Sequence, residues 1–283
     1  MNSARYFAPK GIEEALKIRA EHGETATVLA GGTDLVPKIN YYDLKPAVLL
    51  YIGGIGLDYV REEQGVLRVG AGTTWAGLIS SSLVTAKASV LSSAARQGGC
   101  VATRNAGTIG GNVVNASPAA DLATPLLVMD TELLLESEAG KRTVAVRDFF
   151  TGPGETVLRG DEILVEMSVP RVTGKTVFIK LGRRKAMTLS VVNVAVRLDM
   201  DGRTCKEARI ALGSMGPTPM RCTKAEEMLN GTAVDEALIR ECAVQAIAES
   251  RPIDDQRATA WYRKSAGEAL LARALAQAAG KDS

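Results

Sequence analysis

Hydrophobic and polar positions along the chain follow two periods. Ile12, Ala15, Leu16 and Ile18 recur at helical spacing behind Pro9, which predicts a helix over Ile12 to Ala20. Thr25 to Ala30 is a short apolar run, a strand that stops at Gly31-Gly32. Leu35 to Ile39 can open a helix, of which Pro37 permits the first turn. Val48 to Ile52 and Val66 to Val69 read as strands, Trp75 to Ser80 and Val90 to Ala95 as helices. Gly98 to Asn115 is too punctuated by glycine for one long helix. Ser117-Pro118 reads as an N-cap followed by proline at the first helical position, predicting a helix to about Met129. Glu132 to Glu136 and Arg142 to Val146 are strands around a turn at Ala139-Gly140, and Ile163 to Val169 alternates up to Pro170.

Beyond a boundary at Pro170 to Lys175 the pattern changes. Val177 to Leu181, Val191 to Leu198 and Lys206 to Leu212 are strands, with a hairpin signal at Asp201-Gly202. Thr223 to Asn230, Val234 to Glu249 and Thr259 to Ala279 are helices. Strands followed by helices make this last segment α+β.

Composition narrows the function classes. The 283 residues are 46% hydrophobic and 23% charged, which excludes a disordered chain. A net charge of +2 offers no field for nucleic acid. No apolar run approaches a membrane span, and the opening Met1 to Tyr6 has no apolar signal core, so the expected location is cytoplasmic. Cys100, Cys205, Cys222 and Cys242 lie far apart and read as reduced, buried thiols without cluster-ligand spacing. His22 is the one histidine, which argues against a multi-histidine metal site and against Ser-His-Asp or Cys-His chemistry. Enzymatic chemistry here calls for a cofactor.

The 28 glycines concentrate that expectation in two loops. Ala30-Gly31-Gly32-Thr33-Asp34-Leu35 comes directly after a strand; paired glycines let backbone N–H groups turn outward beside a helix start, an arrangement that suits an anion. A strand-to-helix turn that needs two glycines for steric reasons alone is the competing reading. The second loop, Thr108-Ile109-Gly110-Gly111-Asn112, lies in a run of three glycines and three asparagines, a composition costly in chain entropy unless the conformation is required. Asp121 follows, in the first turn of the expected helix, placed either to complement the helix dipole or to accept hydrogen bonds from sugar hydroxyls. The G-x-x-x-x-G-K-[ST] pattern is absent, and Gly70 and Gly72 lack a third Rossmann glycine and read as strand ends. Two Gly-Gly loops in separate modules suggest a dinucleotide clasped between them.

AGGTDL at 30–35 and TIGGN at 108–112 together resemble the paired flavin-binding motifs of the molybdenum hydroxylases, specifically the FAD-binding (medium) subunit of the xanthine dehydrogenase and carbon monoxide dehydrogenase family. Arg104-Asn105-x-Gly107, Ser117-Pro118-Ala119-Ala120-Asp121, Asp161-Glu162-Ile163-Leu164, Phe178-Ile179-Lys180 and Trp261-Tyr262-Arg263 extend the similarity over essentially the whole chain. The resemblance implies an α+β protein: two small α/β modules, 1–55 and 56–172, holding FAD, and a C-terminal α+β domain, 173–283. Gly31, Gly32, Thr33 and Asp34, flanked by Leu29, Ala30 and Leu35, would contact the pyrophosphate. Thr108, Gly110, Gly111 and Asn112, with Ile109 between them, would do so from the other side. Asp121 would bind flavin hydroxyls, and Leu164 and Lys180 would lie near the isoalloxazine. Lys180 also opens a basic cluster with Arg183, Arg184 and Lys185, read either as a solvated surface or as an edge of a partner interface.

By the same resemblance the molybdenum cofactor and 2Fe–2S clusters reside on a large and a small partner subunit. FAD on this chain would pass their electrons to an external acceptor. The alternatives are a self-contained FAD oxidoreductase and a phosphate-binding scaffold without flavin.

Overall fold

The computed structural model describes residues 4–281; Met1 to Ser3, part of the opening segment read for a signal core, lie outside them. The chain first forms β1 (Arg5–Phe7), α1 (Ile12–His22), β2 (Ala26–Leu29), α2 (Leu35–Tyr41) and β3 (Val48–Tyr51). The three strands pair in parallel in the order β1-β3-β2, so each connection must cross over, and α1 and α2 are those crossovers. Helix α1 buries Ala15 and Leu16 in a core with Leu50 and Ile52. Helix α2 buries no residue. It runs past the single turn expected of it, because Pro37 is its third residue and the missing N–H falls in the first turn.

The second stretch opens with the hairpin β4 (Val60–Glu63) and β5 (Val66–Gly70). Short helices follow: α3 (Trp75–Ser80), α4 (Ser82–Lys87), α5 (Ser89–Gln97), α6 (Val101–Ala106), α7 (Ile109–Val114) and α8 (Ala123–Val128). Next come β6 (Glu132–Ser137), β7 (Gly140–Ala145), the small pair β8 (Phe150–Gly152) and β9 (Glu155–Thr156), and β10 (Ile163–Val169). An antiparallel sheet results, in the order β4-β5-β10-β6-β7. Its central strand β10 is buried at every position. A bulge between Leu164 and Glu166 resets the alternation of β10. Ile163 and Val165 therefore enter the core shared with α1 and β3, while Leu164, Met167 and Val169 enter the larger core beneath the short helices.

One sequence expectation fails in this stretch. Ser117 does not cap a helix: its Oγ accepts from the N–H of Ala119 at 3.3 Å, the chain turns, and α8 begins only at Ala123. Asp121 thus precedes that helix instead of sitting in its first turn.

The third stretch is an antiparallel sheet of β11 (Lys175–Gly182), β12 (Ser190–Asp201), β13 (Thr204–Gly213) and β14 (Met220–Arg221), then α9 (Thr223–Leu229), α10 (Glu236–Glu249) and α11 (Ala260–Ala278). The expected hairpin joins β12 to β13, with Asp201 opposite Thr204. Valines of β12 and residues of α9 to α11 form one core, which includes Cys205, Cys222 and Cys242; Cys100 alone of the cysteines is part-exposed. Among the described residues no helix is long and apolar enough to cross a membrane, and no group of three or more His, Cys, Asp or Glu side chains is placed to hold a metal.

Candidate functional site: a cavity between two glycine motifs

The two glycine motifs face each other across one cavity of about 570 Å³, a size usual for small-molecule sites. In the first, Gly32 adopts φ +69°, the left-handed region that favours glycine. Gly31 answers to a different constraint: a Cβ there would stand 1.7 Å from the carbonyl oxygen of Ala106. Only glycine lets the 30–34 loop press against the end of α6. Among the described residues, the backbone N–H groups of Gly31, Gly32, Thr33, Asp34 and Leu35 find no protein acceptor. Five consecutive free donors beside a cavity form a cradle for an anion.

The second motif is built differently. Thr108 caps α7, its Oγ1 accepting from the N–H of Gly111 at 3.0 Å. The N–H of Ile109 donates to Thr73 O at 2.9 Å, that of Gly110 to Ala71 O at 2.9 Å, and that of Asn112 to Thr108 O at 3.1 Å. These amides are committed inside the protein. What the motif presents is a bare wall at Gly111, where an added Cβ would meet only Thr108 Oγ1 within 4 Å, together with the side chains of Thr108 and Asn112.

Acidic side chains on the cavity wall are held by cations behind it. Asp121, 6% exposed, accepts from Lys180 Nζ at 2.5 Å and from Ser190 Oγ at 2.6 Å. Burial pushes its carboxyl upward, against the pull of Lys180 and Ser190. Glu162 accepts from Arg142 Nε at 2.5 Å, Arg142 Nη2 at 2.8 Å and the N–H of Arg159 at 2.8 Å. The Arg142 guanidinium holds this carboxyl below the usual range. The carbonyl of Glu162 accepts from Arg19 Nε, whose Nη1 also reaches Gly23 O and Ala26 O, so the first sheet is tied to the start of β10.

Residues 2–172 match the family described as the FAD binding domain in molybdopterin dehydrogenase, and residues 178–278 the CO dehydrogenase flavoprotein C-terminal domain. The chain belongs to the FAD-binding subunits of the molybdenum hydroxylases. It is 33% identical over 273 residues to the carbon monoxide dehydrogenase medium chain of Hydrogenophaga pseudoflava, covering 95% of each chain. It is 30% identical over 276 residues to the glyceraldehyde dehydrogenase medium chain of Sulfolobus acidocaldarius, covering 97% of this chain and 98% of that one. Among solved structures, carbon monoxide dehydrogenase from Hydrogenophaga pseudoflava lacking the Mo-pyranopterin moiety superposes with a TM-score of 0.95 at 32% identity, covering 99% of each chain. Quinoline 2-oxidoreductase from Pseudomonas putida 86 gives 0.93 at 27% identity, over 99% and 98%. These matches support an FAD-carrying, electron-transferring oxidoreductase subunit over a self-contained oxidoreductase or a flavin-free scaffold.

Within this FAD-binding subunit, Ala30 to Leu35, Thr108, Gly110, Gly111, Asn112, Asp121 and Leu164 line the cavity. Leu29, the last residue of β2, is off the wall although Val28 and Ala30 on either side line it, and Ile109 turns its side chain into the main core. Lys180 stands behind Asp121, its side chain 3% exposed, and so is separated from the exposed Arg183, Arg184 and Lys185 with which the sequence grouped it. Sequence reasoning missed Lys38, Asn115 and the Met187 to Leu189 segment, all on the wall. Lys38 had a signal, its four-residue spacing from Asp34 on one helix. Met187 to Leu189 had none.

Breaking the buried pair should leave Asp121 uncompensated. Lys180→Met is expected to cost about 3–5 kcal/mol in urea unfolding. Adding Asp121→Asn should recover part of that loss, and strictly additive losses would mean that the pair is not coupled.

Proposed function

We propose that the pyrophosphate of FAD lies against the free N–H groups of Gly31 to Leu35, with the bare wall of Gly111 opposite. The carrying observation is the cradle of five unpartnered amides, set against a second glycine motif whose amides are committed elsewhere. Thr108 and Asn112 add side-chain polar groups. Asp121, held in place by Lys180 and Ser190, is an acceptor for flavin hydroxyls at the far end, and Leu164 on β10 is an apolar support for the ring system. Lys180 acts on the flavin through Asp121.

When bound, FAD supplies the redox chemistry; this chain's residues bind it, orient it and keep water from its buried parts. We propose further that segments 1–55 and 56–172 are the two halves of the flavin site and 173–283 the domain that backs it. A large subunit with the molybdenum cofactor and a small subunit with 2Fe–2S clusters are the proposed partners, passing electrons through FAD to an external acceptor in the cytoplasm. Relatives named as medium chains, from the carbon monoxide and glyceraldehyde dehydrogenases, support that assembly.

Acid denaturation of the purified protein should release FAD and not FMN. Gly111→Val, whose Cβ would require a small shift of Thr108 Oγ1, should weaken FAD binding by roughly tenfold or more, the equivalent of about 1.4 kcal/mol. Gly11→Ala, at an open position off the cavity wall, should leave binding unchanged. Release of FMN, or equal affinity in both variants at matched circular dichroism, would contradict the site. In a stopped-flow mix of separately purified chains, the substrate of the complex should reduce the FAD of this chain only when both partners are present. Reduction of the isolated chain at the rate of the complex would restore the self-contained oxidoreductase.

A further inference from the structure

Lys38 lines the cavity. Its Nζ lies 2.7 Å from Oδ2 of Asp34, the residue just before α2, and donates to Asn115 Oδ1 at 2.9 Å. Asn115 caps the C-terminus of α7, so the ammonium joins the helix that follows the first glycine motif to the helix that carries the second. Helix α2 has no buried residue, and core packing therefore does little to hold it in place.

The charges on the wall point the same way. Asp121 is answered by Lys180 and Glu162 by Arg142, and Arg104 turns its guanidinium to the carbonyls of Gly98 and Gly99. Asp34 has Lys38 alone as its charge partner among the described residues. Its carboxylate adjoins the cradle of free amides, where an uncompensated negative charge would repel a pyrophosphate. With Lys38 against it, the carboxylate is neutralised and the neighbouring N–H donors are usable. Asn115, whose Oδ1 serves Lys38, keeps its amide N–H₂ for a further acceptor.

We propose that Lys38 is the cation of the dinucleotide site: it cancels the charge of Asp34 and, through Asn115, closes the two glycine motifs over the phosphates. This rests on the reading of the cavity as the FAD site. Lys38 and Asp34 are each about half exposed (47% and 54%), so the attraction is screened and the effect is moderate and salt-dependent.

The test is the rate of FAD release from the holoprotein, followed by flavin fluorescence at low and high salt. Lys38→Met should release FAD roughly fivefold faster at low salt, with the gap to wild type closing as salt rises. Lys38→Arg should stay within about twofold of wild type, because the charge is kept. Asp34→Asn added to Lys38→Met should slow release again, since the uncompensated carboxylate is gone; a purely structural role for Lys38 would not produce that rescue. Wild-type release and salt dependence in Lys38→Met, or a double variant no slower than the single, would overturn the proposal. Failure of the underlying site reading is distinct: it would appear as unchanged FAD affinity in Gly111→Val.

Discussion

The carbonyl oxygen of Ala106 occupies the place where any side chain at position 31 would begin. That contact sets the distance between the two halves of the cavity. A residue with a Cβ would push the 30–34 loop away from α6 and open the cleft between them. Holding the loop there leaves five consecutive N–H groups pointing at no protein acceptor, which is tolerable only where water or a ligand can reach them. Glycine at 31 and the anion cradle are thus two sides of one constraint. The second motif serves it from the opposite side, with amides satisfied internally and side chains removed.

Strand β10 carries this arrangement into the core. Its bulge divides consecutive residues between two hydrophobic cores, so the first sheet and the short helices are packed on one common strand. Arg19 adds a polar tie from β2 to the carbonyl of Glu162, and Arg142 fixes the same residue from β7. At the other end, Lys180 on β11 and Ser190 on β12 hold Asp121, which links the C-terminal sheet to the cavity wall. Removing one partner from such a buried pair costs far more than the pair contributes, which favours a single arrangement of the three sheets.

Much of this was legible in the sequence because backbone demands leave a compositional mark. Gly31, Gly32 and Gly110 stand out because few other residues fit a left-handed turn or a close backbone approach. The long strands β10, β12 and β13 and the helices α10 and α11 were legible through sustained periodicity. What was lost is informative. Ser117-Pro118 has the residues of a helix start, yet Ser117 closes a local turn instead, a competition that hydroxyl side chains regularly enter. Strand β4, sequence Val-Arg-Glu-Glu, lies at a sheet edge and is mostly exposed, so it carries no hydrophobic pattern to detect. Lys180 was placed at the flavin, but its depth behind Asp121 depends on how two distant stretches stack. The reach of Lys38 to Asn115 spans 77 positions of sequence and leaves no local trace.

In the proposed site the free amides of Gly31 to Leu35 take the phosphate groups, while those of Ile109 to Asn112 are already bonded. Amide hydrogen exchange resolved by peptide, with and without FAD, reads both sets of amides. FAD should slow exchange across 31–35 by roughly tenfold or more, and 109–112 should be slow in both states. Rapid exchange across 31–35 in the FAD-loaded protein, or protection that arises at 109–112 instead, would contradict the proposed site.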